Sequence, residues 1–145
     1  MKVPANIKID SLSYPVHIGY NLWHEIDEFL QLFLKSGGVY VFTDHNTQRF
    51  CFPALKDNIP ILAQQPLYSI APGEQSKDLP GLAGIWTWLM ENGAGRNSLL
   101  INLGGGVISD LGGFAAATFN RGMKYVNIPT SLIGRLMQQL GANLH

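Results

Sequence analysis

The sequence predicts an α/β protein with a mostly parallel sheet and helices on both faces. Short apolar runs, typical of buried strands, alternate along the chain with longer segments of helical periodicity. Glycine-containing or proline-containing turns separate them, and a hydrophobic content of 46% in 145 residues suits one compact core. In such sheets ligands bind outside the carboxyl ends of the strands, so we expect functional residues there.

The first predicted elements lie in the N-terminal third. Residues 7–9 and 14–18 are short β-prone runs, which predict a hairpin or a pair of edge strands. Asn21 is a candidate cap for a helix that a glycine pair ends near Ser36. Apolar residues recur in that helix at helical spacing: Leu22, Ile26, Phe29, Leu30, Phe33 and Leu34. The unbroken apolar run 39–42 then predicts a strand that is covered on both faces.

The alternation of strand and helix continues to the end of the predicted fold. The patterns predict strands at 67–70, 98–103 and 124–128, helices at 79–90 and 107–119, and a turn at 129–131 into a last helical stretch. Pro80 fits the first turn of its helix, where a missing N–H costs nothing. The tryptophans Trp23, Trp86 and Trp88 are expected to pack helices on the sheet.

Composition excludes several classes of partner. Ten basic and ten acidic residues cancel, so no basic field is available to gather nucleic acid. No run approaches the roughly 18 apolar residues of a membrane span, and the first residues lack an apolar signal region. Cys51 is the single cysteine, and no Cys/His cluster has metal-ligand spacing. We therefore expect a cytoplasmic protein that binds neither nucleic acid nor a membrane.

A triple glycine, residues 104–106, is the most informative motif of the chain. It follows a predicted strand and opens a predicted helix. Unpaired N–H groups at a helix N-terminus attract anions, and glycines let a phosphate approach them closely. The spacing is not the dinucleotide fingerprint G-x-G-x-x-G, and no acidic residue ends a second strand about 20 residues later. The run alone predicts a phosphate site, or else a tight turn with no ligand.

Other polar residues follow predicted strands and could share one crevice with the glycines. They are Asp44 with Asn46, Glu74 with Lys77, Asp110, and Thr130 with Ser131. Each has an alternative role: the first and last pairs as helix caps, Glu74 and Lys77 as a solvated ion pair, and Asp110 as a cap or a loop acceptor. Arg121 follows a helix, where it could bind a carboxylate or phosphate, or act only as a favourable C-terminal charge. The four histidines form no ligand set, and solvated or packing roles are expected for them.

Four separated motifs together resemble the 3-dehydroquinate synthases, the shikimate-pathway branch of the sugar phosphate cyclases. They are T-D-H-N at 43–46, P-G-E-Q-S-K at 72–77, the segment 104–122 that begins G-G-G-V, and I-P-T-S-L at 128–132. The resemblance covers the chain up to about Gly134. It implies a Rossmann-like N-terminal domain that binds NAD.

The resemblance also implies roles for individual residues. Adenosine-side contacts match Asp44, Asn46, Glu74 and Lys77; pyrophosphate contacts match Gly105, Gly106 and Val107; the nicotinamide side and its ribose match Asp110, Thr130 and Ser131; and the substrate contact matches Arg121. Ser109 stands where the family's G-G-G-V-V-G-D run has a glycine, so this position must accommodate a Cβ.

After Gly134 the sequence departs from the family's pattern, which continues like Q-V-D-A-A-I-G-G-K. We therefore expect an NAD-binding domain at 1–134 and an aberrant tail at 135–145. Codons exist for which a one-base deletion turns the family segment into this tail, so a frameshift or truncation is our hypothesis. The resemblance also implies a divalent metal, zinc or cobalt, held by a glutamate and two histidines of a C-terminal helical domain, which we expect this chain to lack.

The resemblance implies an enzyme that converts 3-deoxy-D-arabino-heptulosonate 7-phosphate to 3-dehydroquinate and phosphate, with NAD and a sugar phosphate as partners. This chain is expected to hold only the NAD-binding part, to be inactive alone and to form a homodimer. Two alternatives stay open: another sugar phosphate cyclase or a polyol dehydrogenase, and a nucleotide-binding module without catalysis.

Overall fold

The computed structural model describes residues 7–10, 15–18 and 22–133, the first two ranges by their backbone. Strands β1 (Ile7–Asp10) and β2 (Pro15–Ile18) form an antiparallel pair with Ile7 opposite Ile18. The predicted N-terminal strand pair is therefore confirmed, and it is a separate two-stranded sheet. The predicted cap at Asn21 and the predicted tail at 135–145 lie outside the described residues.

The main sheet has four parallel strands: β3 (Val39–Asp44), β4 (Leu67–Ile70), β5 (Leu99–Gly104) and β6 (Lys124–Pro129). Their order across the sheet is β4-β3-β5-β6. The register places Val41 beside Ile101 and Ile101 beside Val126. All four predicted strands are confirmed, and β3 runs two residues further than predicted because Thr43 and Asp44 continue its pairing.

Between residues 22 and 129, five helices surround the sheet: α1 (Leu22–Leu34), α2 (His45–Phe50), α3 (Phe52–Asn58), α4 (Leu79–Glu91) and α5 (Gly106–Thr118). A further helix begins at residue 130 and is described to residue 133. Helices α2 and α3 were not predicted from the sequence, because their six and seven residues are too few to show a clear apolar period. Leu55 of α3 is buried in the core, so α3 is stabilised by packing against other elements of the fold.

Alternate residues of the central strands point to opposite faces, and both faces are covered. On one face Val41 and Ile101 pack with Leu55 of α3, and α1 contributes Trp23. On the other face Phe42 and Leu100 pack with residues of α4 and α5, Trp88 among them. Burial on both faces explains why both strands are mainly apolar: β3 begins with the apolar run 39–42, and among residues 99–103 of β5 only Asn102 is polar. The predicted packing of tryptophans against the sheet is confirmed.

The connections that follow β3 and β5 lead to opposite sides of the sheet. After β3 the chain goes to β4 on one side and lays α3 on the face of α1, whereas after β5 it goes to β6 on the other side and lays α5 on the opposite face. Such a divergence leaves a crevice at the carboxyl ends of the two strands, the usual ligand site of open α/β sheets. Among the described residues, no helix is long and apolar enough to cross a membrane.

Candidate functional site

The predicted nucleotide-binding residues follow the carboxyl ends of all four parallel strands, an edge of the sheet that we call the carboxyl edge. Asp44 ends β3, with Asn46 two residues into the next helix. Glu74 and Lys77 lie in the connection that leaves β4. Three further sets follow β5 and β6: Gly105, Gly106 and Val107; Asp110; and Thr130 with Ser131. The parallel topology therefore brings these residues to one edge, as the sequence predicted.

The three consecutive glycines differ in what surrounds them. A Cβ on Gly104 would lie 2.8 Å from Cγ1 of Ile108, so packing within the chain requires a glycine there. A Cβ on Gly105 or Gly106 would meet no atom within 4 Å, and neither residue has the positive φ that favours glycine. The described part of the chain thus accounts for the first glycine and leaves open space at the other two.

This open space adjoins the N-terminus of α5. Gly105 caps the helix without a side-chain hydrogen bond, and the first N–H groups of a helix have no partner within it. The helix dipole adds a partial positive charge at the same point. Ser109, the residue that departs from the family's pattern, directs its hydroxyl to the carbonyl oxygen of Gly106 at 3.1 Å. Its Cβ is therefore accommodated without closing the space above the glycines.

Lys77 forms an ion pair with Asp110 across the crevice. Its Nζ lies 3.0 Å from Oδ2 of Asp110, and this corrects the alternative in which Lys77 pairs with Glu74. The hydrogen bond to Asp110 is the largest cause that raises the pKa of Lys77, followed by the charges of Asp110 and Glu74. The two side chains are 42% and 62% exposed, so the pair links two elements of the site without adding much stability.

Asp44 has a structural role at the same edge. One of its carboxylate oxygens accepts a hydrogen bond from the N–H of Thr47 at 2.8 Å and caps α2. The capping alternative is therefore confirmed for Asp44, and the cap occupies one of its two carboxylate oxygens. Beside it, Nδ1 of His45 lies 2.9 Å from Oγ of Ser69 on β4. This contact was not predicted from the sequence, because pairing of β3 with β4 sets it.

Arg121 does not lie with the other predicted site residues. Helix α5 has 13 residues and runs back along the sheet, which carries the chain about 20 Å from the glycines. Arg121 ends the short 3-10 turn that follows, just before Lys124, which pairs with the first residue of β5. It therefore lies at the opposite, amino edge of the sheet. Its φ of 66° is in the left-handed region, which is unfavourable for a residue with a Cβ.

Among residues 7–10, 15–18 and 22–133, no three His, Cys, Asp or Glu side chains lie close enough together to hold a metal ion. The residues of this part therefore do not fit the zinc or cobalt that the family resemblance implies. Cys51 lies between α2 and α3, where burial, and then the charge of Asp44, raises the pKa of its thiol.

Comparison with known proteins identifies relatives of the chain. The family model of the 3-dehydroquinate synthase N-terminal domain matches residues 67–143. The 3-dehydroquinate synthase of Parabacteroides distasonis is 44% identical over 121 residues, which are 83% of this chain and 34% of that protein. The one of Clostridium kluyveri is 34% identical over 140 residues, 96% of this chain and 39% of that protein. The chain thus spans between a third and two fifths of the length of these relatives.

A similar fold is found among solved structures. A crystal structure of 2-deoxy-scyllo-inosose synthase, complexed with carbaglucose-6-phosphate, NAD+ and Co2+, aligns with a TM-score of 0.69. The alignment covers 86% of this chain and 35% of that one, at 16% sequence identity. At this identity the comparison shows a shared fold. It agrees with the parallel sheet and two-sided helical cover described above.

Proposed function

The chain belongs to the 3-dehydroquinate synthase family, and from this membership we propose that it is the NAD-binding part of such an enzyme. The whole enzyme would convert 3-deoxy-D-arabino-heptulosonate 7-phosphate to 3-dehydroquinate and phosphate. This part would bind and orient the cofactor and would be inactive alone, because the described residues offer no metal site. The relatives at 34% and 44% identity are 3-dehydroquinate synthases, which favours this activity over that of another cyclase.

The contrast among the three glycines carries the proposal. Gly104 is explained by its contact with Ile108, whereas Gly105 and Gly106 adjoin open space over the N-terminus of α5. A pyrophosphate fits this space because it needs N–H donors, the positive end of a helix dipole and no Cβ between them. The backbone of Gly105, Gly106 and Val107 would bind it.

The remaining residues of the carboxyl edge fit the other groups of NAD. The carboxylate of Asp44 and the amide of Asn46 would accept and donate hydrogen bonds at the adenosine ribose. Glu74 and Lys77 would lie along the adenosine side, and Asp110, Thr130 and Ser131 along the nicotinamide side. NAD bound there would supply the transient oxidation of the substrate's C5 hydroxyl. The protein's own task is to hold the dinucleotide across the divergence between β3 and β5.

Arg121 and the expected homodimer fit together. Arg121 lies about 20 Å along α5 from the glycines, so it cannot contact a substrate beside the nicotinamide of its own subunit. We infer that it would reach the phosphate or carboxylate of a substrate held by a second copy. Its left-handed backbone supports such a role, since strained residues are often retained at functional sites.

Calorimetric titration of NAD into the purified chain tests the proposal, with Asp110→Ala and Glu74→Ala variants alongside. We expect saturable binding that both substitutions weaken. Glu91→Ala is the matched control, because Glu91 is an exposed acidic residue that ends α4 away from the carboxyl edge. A folded chain that takes up no NAD, or one that loses affinity equally in all three variants, would contradict the proposal.

A further inference from the structure

Asn102 is a polar residue inside an otherwise apolar strand. It lies in the middle of β5 and is 1% exposed, among neighbours such as Leu100 and Leu103. Its Nδ2 donates a hydrogen bond to Oδ1 of Asn127 on β6 at 3.1 Å. Its own Oδ1 is buried without a hydrogen-bond partner. Buried amide oxygens without an N–H or O–H donor are uncommon, so this atom requires a physical explanation.

The group directed at this oxygen is the Cα of Gly112. A Cβ built on Gly112 would overlap Oδ1 of Asn102, so only the hydrogen of a glycine Cα fits between strand and helix. A Cα–H group is a weak hydrogen-bond donor where packing brings it against an oxygen. The reverse orientation of the Asn102 amide would press its NH₂ group against the same Cα without an acceptor. Oδ1 therefore faces Gly112.

Gly112 is an unfavourable residue for its position unless this contact matters. It lies in the interior of α5, where glycine is less stable than alanine because it loses more backbone entropy on folding. The contact lets α5 approach β5 closely, six residues after Gly106. The glycine turn at 104–106 therefore lies between two residues that contact each other, Asn102 before it and Gly112 after it.

We propose that Asn102 is a positioning residue for the nucleotide site. Its Oδ1 sets the depth of α5 through Gly112, and its Nδ2 ties β5 to β6 through Asn127. One buried amide would thereby fix the strand and helix that flank the glycine turn and the strand that leads to Thr130. This inference rests on the proposed NAD site, because it is the direction of the N–H groups at the start of α5 that the amide would control.

The test is a double-mutant cycle in the full 145-residue chain, with the single variants Gly112→Ala and Asn102→Ala and the variant that combines them. Two quantities are measured well below the unfolding temperature: NAD affinity by calorimetry, and the backbone amide NMR shifts of residues 105–107. We expect Gly112→Ala to weaken NAD binding at least tenfold and to move these amide signals. In the double variant the overlap is gone, so affinity and shifts should return to those of Asn102→Ala.

Gly113→Ala is the matched control. It makes the same change one residue further along α5, where the new Cβ would lie an ordinary 3.4 Å from the ring of Tyr125. NAD affinity and the three amide signals should be unchanged in it. Equal effects of Gly112→Ala and Gly113→Ala, or a double variant as impaired as Gly112→Ala, would overturn the proposal. If the three variants change only the unfolding temperature and not NAD affinity or the amide signals, Asn102 is an ordinary core residue and the proposal is also overturned.

Two further outcomes are decided by the same set. If Gly112→Ala does not fold, the proposal requires that the double variant folds, and an unfolded double variant contradicts it. If the unmodified chain binds no NAD, the proposed function fails. The amide shifts and the rescue by Asn102→Ala then still decide whether this residue positions the start of α5.

Discussion

Replacement of Gly106 by alanine should separate stability from ligand binding. Gly106 is the first residue of α5, and a Cβ there would meet no atom within 4 Å. Alanine restricts the unfolded chain more than glycine does, so the free energy of unfolding should rise by about 0.4–1 kcal/mol. For a domain of this size such a change raises the unfolding temperature by roughly 1–4 °C.

The same substitution should weaken NAD binding. The added Cβ would occupy the space through which a phosphate oxygen approaches the first N–H groups of α5. Hydrogen bonds to a charged group contribute about 1.5–3 kcal/mol each, so the loss of one corresponds to roughly a 10- to 150-fold lower affinity. Gly106→Ala is therefore expected to give a more stable chain that binds NAD less tightly.

Differential scanning calorimetry and NAD titration on the same preparations measure the two effects. Gly95→Ala is the control, because a Cβ on Gly95 also meets no atom within 4 Å and the residue lies between α4 and β5, away from the carboxyl edge. It should gain similar stability and keep its NAD affinity. Undiminished NAD affinity in Gly106→Ala would refute the assignment of the glycine turn to a phosphate.

Three other outcomes follow from named contacts. Asp110 raises the pKa of Lys77, so the ion pair contributes its full stability below the ordinary pKa of a lysine. As the pH rises through the raised pKa, the free energy of unfolding should fall more steeply than in Lys77→Met. Parallel curves of unfolding free energy against pH for the two proteins would count against the pair. Because burial raises the pKa of the Cys51 thiol, iodoacetamide should alkylate it more slowly in the native chain than in urea at a pH near the ordinary thiol pKa; equal rates would contradict this. Gly37→Ala places a Cβ against the backbone of Asn97, and urea unfolding should show a loss of about 1–3 kcal/mol; an unchanged midpoint would argue against that packing.

The strands of the sheet were predictable from sequence because the two central ones are buried on both faces. The run 39–42 is apolar throughout and residues 99–103 are apolar except for Asn102, a pattern typical of parallel strands covered on both faces. Helices α2 and α3 were not predictable, since each is shorter than two full turns and α3 depends on the burial of Leu55. Local periodicity carries no information on contacts of that kind.

The candidate site was predictable in its location and less so in its contacts. Strand ends can be read from sequence, so the gathering of Asp44 and the glycines at one edge was predicted. The partner of Lys77 was not, because Asp110 is 33 residues away and meets it only through helix packing. The position of Arg121 did have a signal: a residue that follows a long helix after a parallel strand must lie at the opposite edge of the sheet.

The order β4-β3-β5-β6 also constrains how the chain folds. The central pairing joins Val41 to Ile101, with β4 and α4 between them in sequence, so the loop that it closes is long. Closing such a loop loses chain entropy before the stabilising contacts form, which slows folding. The divergence between β3 and β5 arises only when this pair forms. The ligand crevice therefore forms only once β5 has joined β3, and a nascent chain that ends before β5 lacks it.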